Sequence, residues 1–363
     1  MLRMDWRCVQ TTNSNSFKFV CYEDRITDTI GLKLLILSLQ RFGPLAPLIC
    51  YCPTHFTAFR RWAADRSNVQ IRDNDALSIR GWEVKPTILL KVLSEDAGPV
   101  VWLDSDLMFT RQTSAEFFYF KPDALLTTQE NTAVFGWNAD RATLMGMKSV
   151  RRLAGPVNSC VIGVTTVHRS LLEAWADRMK RRDFQDAQKL SYFDRPLHLM
   201  SDQDVLDALL CSELFAHIPV RQFRAGYDVA QCWSHAGFAA RHRLLAMIRG
   251  FPPLVHCPGT KPWRVAGGMR DTVALELSPY SYFARQYVSE LDDDLRWTKP
   301  SSTLGKLLYT LSGRDSVIAG LLLQLLVDVY RPFVLLRKLL KHHRGEVAPG
   351  TGKIGTGEQR SDD

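Results

Sequence analysis

The sequence predicts an α/β fold with a mostly parallel central sheet. Short apolar runs alternate with stretches of helical periodicity, and this alternation is typical of βαβ units. The strongest strand pattern, PVVWLD, ends at Asp104, and ligands of such sheets bind beyond the carboxyl ends of the strands. The composition is 46% hydrophobic and 23% charged, which is ordinary for a globular protein and excludes collagen, coiled coil and wholesale disorder.

The individual elements follow from local patterns. FKFVC is rich in β-prone residues, LAPLICY is an apolar run closed by Pro53, and DALLTT and NSCVIGV follow Pro122 and Pro156. Leu, Ile and aromatic residues at helical spacing indicate the helices, whereas residues 215–263 are mixed and rich in loop residues. The predicted strands are 17–21, 45–51, 69–71, 99–104, 123–128 and 158–164, and the predicted helices are 28–40, 56–62, 86–94, 169–180 and 202–210.

The C-terminal part has a different character from the rest of the chain. Residues 317–340 are strongly apolar, but Asp328, Arg331 and Pro332 interrupt them, so the uninterrupted run is too short to span a membrane. Two interpretations stay open: an amphipathic helix on an anionic membrane surface, or a helix packed on the preceding domain. We therefore predict a domain at 1–300, an amphipathic helical segment at 301–344 and a disordered tail at 345–363.

Charge and cysteine content limit the partners and the compartment. The formal net charge of +8 favours anionic partners such as phosphates, nucleotides or acidic lipids. The basic residues are scattered rather than clustered with aromatic residues, which argues against nucleic acid. The eight cysteines form no CxxC pair, so they are expected to be buried free thiols. With no apolar signal-peptide region at the N-terminus, a cytoplasmic location is expected, peripheral to the inner face of the cell membrane if the C-terminal segment binds there.

The first motif that carries chemistry is Asp104-Ser105-Asp106, directly after the apolar strand. A turn at the end of a strand allows two carboxylates to converge. Two carboxylate ligands suit Mg²⁺ or Mn²⁺, which can bridge the oxygens of a diphosphate. The motif alone is also compatible with a solvated turn, and its position after PVVWL favours the metal-binding interpretation.

The second motif is HCPGTKPW, which begins at His256. A histidine can complete a metal site that two carboxylates begin, and its imidazole favours Mn²⁺ over Mg²⁺. Gly259 allows the backbone to approach a ligand closely, and Lys261 supplies a point charge for a phosphate. Because these residue types occur together at close spacing, a ligand-binding role is favoured over a purely structural histidine.

Four segments in this order, PVVWLDSD, NSCVIG, SDQDVLDALL and HCPGTKPW, resemble the GT-A fold glycosyltransferases. The sequence is most similar to glycosyltransferase family 8, the glycogenin and lipopolysaccharide galactosyl- or glucosyltransferase group, over residues 17–265. The resemblance implies transfer of a hexose from a UDP-sugar to an acceptor hydroxyl, with retention at the anomeric carbon. It also implies a carbohydrate or glycolipid as the acceptor.

The resemblance further implies a set of site residues. The metal, Mn²⁺ or Mg²⁺, would be bound by Asp104, Asp106 and His256. The donor site would include Ser105 and a lysine that precedes the DxD strand, and the sugar would lie near an asparagine and an acidic residue of SDQD. The nucleotide base is expected at the loop after the first strand, residues 22–24. The remaining assignments are Lys85, Gly259 and Lys261 for the donor diphosphate and Asn158 and Asp202 for the sugar.

The motifs leave several alternatives open. Ser201 and Asp204 read as a helix capping box, which leaves Asp202 or Gln203 to face the sugar, and we favour Asp202. Asn158 is followed by Ser-Cys-Val-Ile-Gly rather than by a small residue and Gly, so its match to the family is looser. Lys85 is also compatible with a solvent-exposed position at the start of a helix, just before Pro86. Two other functions are compatible with the motifs: a Mg²⁺-dependent nucleotidyltransferase or phosphohydrolase, and a non-catalytic binding protein of the same fold.

Overall fold

The computed structural model describes residues 17–75, 81–130, 140–232, 238, 240–259, 261–264 and 278–291. The predicted C-terminal segments, 301–344 and 345–363, lie outside the described residues, so the predictions about them stay predictions. Within the described ranges, no helix is long and apolar enough to cross a membrane.

Two sheets organise the described part of the chain. The larger has seven strands in the order β3-β2-β1-β4-β7-β6-β8, and the smaller has three in the order β5-β10-β9. The strands are β1 (Lys18–Tyr22), β2 (Leu48–Cys52), β3 (Val69–Asp73), β4 (Val100–Leu103), β5 (Leu107–Phe109), β6 (Leu125–Gln129), β7 (Val157–Val164), β8 (Val220–Phe223), β9 (Val229–Gln231) and β10 (Leu254–His256).

The prediction of an α/β fold with a mostly parallel sheet is confirmed. Four of the six neighbouring strand pairs in the large sheet are parallel, and β7 is antiparallel to both β4 and β6. Every residue of β2, β4 and β7 is buried, as expected for strands that are covered on both faces. Continuous apolar runs such as LICYC and VVWL therefore form the centre of the sheet.

Helices cover both faces of the large sheet. The core on one side contains side chains of α3, α5 and α7, and the core on the other side contains side chains of α1 and α2. The helices are α1 (Thr29–Phe42), α2 (Thr57–Ala64), α3 (Lys85–Glu95), α4 (Arg141–Leu144), α5 (Arg169–Met179), α6 (Arg182–Gln188), α7 (Asp202–Cys211), α8 (Ala240–Arg249) and α9 (Pro279–Ala284).

The small sheet connects two distant parts of the sequence. β5 follows the DSD turn, and it pairs antiparallel with β10, which lies at the start of HCPGTKPW. The region predicted to be loop-rich, 215–263, thus also contains β8, β9, α8 and β10. These strands have only three or four residues, which is too short for a period-two pattern to be recognised.

The cysteines agree with the prediction of free thiols. All seven cysteines in the described ranges are free, and all of them except Cys211 are buried. Cys50 and Cys52 lie in β2, where they contribute to the core between the sheet and α1 and α2. Their role is therefore that of small apolar side chains.

Candidate metal centre

Asp104 and Asp106 lie in a tight turn at the carboxyl end of β4. The backbone N–H of Leu107 donates to the carbonyl of Asp104 at 3.1 Å, and the N–H of Asp104 donates to the carbonyl of Cys160 in β7 at 2.9 Å. The indole Nε1 of Trp102 donates to Asp104 Oδ1 at 2.7 Å. These bonds hold the turn against the sheet and orient the Asp104 carboxylate.

The small sheet brings His256 to this turn. Leu107 of β5 lies opposite His256 of β10, and the N–H of Cys257 donates to the carbonyl of Asp106 at 3.1 Å. His256 is buried, with 3% of its surface exposed. The imidazole position therefore depends on strand pairing rather than on a mobile loop.

The three side chains form a compact donor set for a divalent cation. His256 Nε2 lies 3.3 Å from Asp106 Oδ1 and 3.6 Å from Asp104 Oδ2, and one ligand atom from each residue lies within 4.8 Å of the other two. Ligands at about 2.1 Å from one ion and about 90° apart are separated by about 3 Å. The spacing and the oxygen and nitrogen donors thus fit a divalent transition metal or Mg²⁺.

Burial and neighbouring charges have opposing effects on the ionisable groups of this cluster. Burial alone would raise the pKa of Asp106, but the positive charges of Lys261 and His256 hold that pKa well below its usual value. Burial lowers the pKa of His256, whereas the neighbouring Cys160 and Asp106 raise the pKa to about 10. A metal ion that binds here would therefore displace a proton from the imidazole.

Lys85 lies beside the first carboxylate, at the start of α3. Its Nζ is 2.9 Å from Asp104 Oδ1 and 3.4 Å from Asp202 Oδ2, and it donates to Ser159 Oγ at 2.6 Å. Burial lowers the pKa of Lys85, but Asp104 and Asp202 raise it above its ordinary value. Lys85 is buried, so the alternative of a solvated helix start is wrong.

Lys261 lies beside the second carboxylate. It forms an ion pair with Asp106 and donates to the carbonyl of Cys257 at 2.6 Å. Gly259, two residues earlier, has a φ of +80°, a left-handed conformation that favours glycine. Lys261 and His256 of the same segment therefore both contact Asp106.

Trp263 attaches the HCPGTKPW segment to α1. Its indole Nε1 donates to Asp28 Oδ1 at 3.0 Å. A Cβ atom added to Gly31 would lie 2.9 Å from the Trp263 ring and 3.1 Å from the carbonyl oxygen of Ser105. Glycine at position 31 thus allows α1 to approach both the tryptophan and the DSD turn.

Ser105, between the two aspartates, forms its side-chain hydrogen bond with the loop after β1. Its hydroxyl donates to Glu23 Oε2 at 2.6 Å, and Glu23 accepts two hydrogen bonds from the guanidinium of Arg25 at 2.8 and 2.9 Å. Ser105 therefore connects the DSD turn to the loop after β1. That loop is where the nucleotide base was expected, so Ser105 links the two predicted parts of the donor site.

The structure distinguishes the two acidic residues at the start of α7. Ser201 and Asp204 form the predicted capping box, and Asp204 also pairs with Arg141 at 2.7 Å. Asp202 instead accepts a hydrogen bond from Ser159 Oγ at 2.8 Å and lies next to Lys85. Asp202 is therefore the residue that is connected to the metal centre.

Asn158 lies in a buried polar group with Glu130, a residue that was not predicted from the sequence. Its Nδ2 donates to Glu130 Oε2 at 2.8 Å, and its Oδ1 accepts from the N–H of Cys160 at 3.1 Å. Gln203 Nε2 donates to the same Glu130 oxygen at 2.7 Å. Glu130 directly follows β6, which is mostly buried, so an acidic residue at the end of a predicted strand was the signal that could have identified it, as it identified Asp104.

Comparisons with known proteins identify no family for this chain. No family profile matches it, and no curated protein sequence shows significant similarity to it. The fold and the site therefore define an α/β protein with a candidate centre for a divalent cation, flanked by two buried lysines.

Proposed function

We propose that this protein is a metal-dependent glycosyltransferase of the GT-A type, which transfers a hexose from a UDP-sugar to an acceptor hydroxyl. The observation that supports this proposal is the convergence of Asp104, Asp106 and His256 at the carboxyl end of β4. A lysine adjoins each of the two carboxylates. The two carboxylates would hold a cation, and the two ammonium groups would attract phosphates. Together they would stabilise a nucleoside diphosphate as it leaves the sugar.

Each part of the centre has a chemical role in this proposal. Asp104, Asp106 and His256 would hold Mn²⁺ or Mg²⁺, which when bound supplies Lewis-acid stabilisation of the leaving diphosphate. Lys85 and Lys261 place positive charge where negative charge develops, in a buried site where electrostatic interactions are strong. The backbone at Gly259 can approach the diphosphate because no side chain intervenes.

The sugar would lie on the side of the centre formed by β7 and α7. Asp202 is buried there beside Lys85, where it can accept hydrogen bonds from sugar hydroxyls. Asn158 and Gln203 both donate to Glu130, so an amide oxygen near the anomeric carbon would be held in one orientation. A carboxylate or amide on this side would stabilise positive charge on the sugar, and retention of configuration follows from the family resemblance.

The acceptor and the location complete the proposal. The acceptor is a carbohydrate or a glycolipid, and the reaction belongs to glycan or lipopolysaccharide-like synthesis. The protein would act in the cytoplasm, with residues 301–344 on the anionic inner face of the cell membrane. On the membrane surface, the enzyme would encounter a lipid-linked acceptor by diffusion in the plane of the membrane.

The experiment that tests the proposal is a screen of UDP-sugars in the presence of Mn²⁺, with release of UDP as the readout. We expect one donor to give UDP release that Asp106→Asn abolishes. Release of pyrophosphate or inorganic phosphate instead would indicate a nucleotidyltransferase or phosphohydrolase. Binding of UDP and Mn²⁺ without turnover of any donor, with or without acceptors, would indicate a non-catalytic binding protein.

A further inference from the structure

Helix α8 has one exposed face that combines aliphatic and basic side chains. Leu244 and Ile248 are 47% and 82% exposed, and Arg241 and Arg249 are exposed as well. Successive residues of a helix are about 100° apart, so these four side chains lie within less than half of the circumference. We call Arg241, Leu244, Ile248 and Arg249 the α8 face.

The opposite side of α8 is packed against the protein. His242 is 4% exposed, and its ring lies 6.0 Å from that of Tyr227 and 5.8 Å from that of Phe238. A Cβ atom added to Gly226 would lie 2.5 Å from His242 Nε2, and Ala246 packs against the core around the small sheet. This packing fixes the rotation of α8 about its axis, so the α8 face is directed to solvent.

The surroundings of the α8 face are positively charged. Residues 229–270 contain five arginines, one lysine and no aspartate or glutamate. Arg111, which is exposed, donates from Nη1 to the carbonyl of Arg249 at 3.2 Å, and it adds a positive charge at the C-terminal end of the helix. An exposed surface of this composition attracts anionic partners.

The chemistry of the α8 face favours a lipid surface over a protein partner. Its aliphatic side chains form no hydrogen bonds and its arginines only donate them, so the partner must combine apolar groups with negatively charged acceptors. An anionic bilayer does so, because its acyl chains lie directly beneath a layer of lipid phosphates. Charged residues are depleted from the centre of protein interfaces, whereas here two arginines flank two aliphatic side chains.

We infer that the α8 face contacts an anionic membrane surface, with Leu244 and Ile248 among the lipid headgroups and Arg241 and Arg249 on lipid phosphates. The inference goes beyond the proposed function, in which only residues 301–344 bind the membrane, and it uses neither the metal centre nor the reaction. A face with two aliphatic side chains binds weakly by itself, but two contacts on one chain bind more tightly together than either does alone. The second contact would also fix the orientation of the domain on the membrane.

The first test measures cosedimentation of the full-length protein with vesicles of phosphatidylcholine that contain phosphatidylserine. We expect the double variant Leu244→Ser, Ile248→Ser to bind about tenfold more weakly or worse, because it removes the apolar groups that enter the headgroup region. The double variant Arg241→Gln, Arg249→Gln should also lose about tenfold or more on these vesicles. On vesicles of phosphatidylcholine alone, the arginine substitutions should have little effect.

Matched substitutions elsewhere on the surface are the controls. Leu45 is 97% exposed, and Leu45→Ser should bind vesicles like the wild type. Arg61 and Arg169 are exposed in α2 and α5, and the double variant Arg61→Gln, Arg169→Gln should also bind like the wild type. Thermal melts establish that each variant is folded, and the arginine pair keeps the inference testable if the serine pair does not fold.

The second test locates the α8 face directly with a nitroxide spin label at Ile248→Cys. On anionic vesicles, collisions of the label with oxygen should increase and collisions with a water-soluble nickel complex should decrease, because the label enters the lipid. A label at Leu45→Cys should remain accessible to the nickel complex. The described cysteines are buried apart from Cys211, and the signal of the labelled wild type is subtracted.

The outcomes separate this inference from the proposed function. If the full-length protein does not bind anionic vesicles, if the serine pair binds like the wild type, or if the label at position 248 stays accessible to nickel, the inference is wrong. A label protected from both nickel and oxygen would indicate a protein contact, such as a second copy of the chain, and would also overturn it. UDP release without vesicles should be unchanged in all of these variants, so the proposed reaction stands or fails independently of the membrane contact.

Discussion

Leu107 and His256 lie opposite each other in the antiparallel pairing of β5 and β10. This pairing places the His256 imidazole 3.3 Å from Asp106 Oδ1, because Asp106 immediately precedes Leu107. A shift of the register by one residue would turn the His256 side chain to the opposite face of the sheet. The geometry of the metal centre therefore depends on a three-residue strand pairing outside the large sheet.

The first prediction concerns the two carboxylates. Asp104→Asn and Asp106→Asn should each lower UDP release by about 10³-fold or more, since an amide cannot replace an anionic metal ligand and the loss corresponds to about 4 kcal/mol of barrier. Steady-state rates in saturating Mn²⁺ measure the effect. Asp177→Asn, at an exposed position of α5, is the control. Near-native rates in both variants would contradict the proposed function.

The second prediction concerns metal preference. An imidazole ligand favours Mn²⁺ over Mg²⁺, so the wild type should be more active with Mn²⁺. His256→Asp creates a centre of oxygen ligands only, and we expect the preference to shift toward Mg²⁺. Rates measured with each metal over a concentration series test this. Equal rates with both metals, unchanged in His256→Ala, would remove His256 from the centre.

The third prediction concerns Glu130. A carboxylate only accepts hydrogen bonds, so Glu130 holds the amide nitrogens of Asn158 and Gln203 toward itself. Glu130→Gln can also donate, so the Gln203 amide would lose its single orientation, whereas the N–H of Cys160 still donates to Oδ1 of Asn158. We expect kcat to fall by up to about 10²-fold with a small change in donor KM, because the reacting geometry is disturbed more than binding is.

Glu116→Gln is the matched control for Glu130→Gln, since Glu116 is exposed. A purely structural role for Glu130 would appear as a lower melting temperature with an unchanged kcat in the folded fraction. That result would contradict the positioning role, whereas a lower kcat at an unchanged melting temperature would support it.

The fourth prediction concerns the pH dependence of stability. Burial raises the pKa of Asp207 to about 6, although Arg141 and the N–H of Val157 oppose the shift, and Asp204 and Asp140 add to it. Because the pKa is higher in the folded state than in the unfolded state, the stabilisation from the protonated form is complete below about pH 4 and is lost as the pH rises through 6.

Asp207→Asn keeps an acceptor for the N–H of Val157 and cannot ionise. At pH 7.5 we expect it to be more stable than the wild type by about 1–3 kcal/mol, and the difference should shrink at pH 4.5. Urea unfolding at both pH values measures this. Asp186→Asn, an exposed substitution, should show no such gain, and a destabilised Asp207→Asn at pH 7.5 would contradict the prediction.

The fifth prediction concerns the C-terminal segment. If residues 301–344 bind a membrane surface, the full-length protein should bind anionic vesicles and dissociate as salt increases, since each basic residue contributes about 1 kcal/mol near such a surface. Truncation after Ser312 should abolish vesicle binding and leave hydrolysis of the UDP-sugar. If the truncated protein unfolds and the full-length protein does not bind vesicles, the segment is instead a helix packed on the domain. The basic residues concerned are Arg337, Lys338, Lys341 and Arg344.

Much of the large sheet could be predicted from local pattern. PVVWLD became β4, the helix predicted at 169–180 is α5 (Arg169–Met179), and the helix predicted at 202–210 is α7 (Asp202–Cys211). Apolar runs and helical periodicity report burial directly, so these elements were recognisable. The antiparallel direction of β7 was not, because a fully buried strand has the same apolar pattern in either direction.

The sequence by itself determined the residue types and the local turns of the candidate centre: two aspartates after a buried strand, the Ser201–Asp204 capping box, and a glycine at position 259 that allows the backbone to approach a ligand closely. The family resemblance predicted that Asp104, Asp106 and His256 share one site, whereas only the tertiary structure decided which contacts each side chain makes. It placed His256 beside Asp106, Lys85 beside Asp104 and Asp202, and Glu130 between Asn158 and Gln203. The physical reason is that caps and turns are set by neighbours in sequence, whereas these contacts depend on strand pairing and helix packing between distant segments.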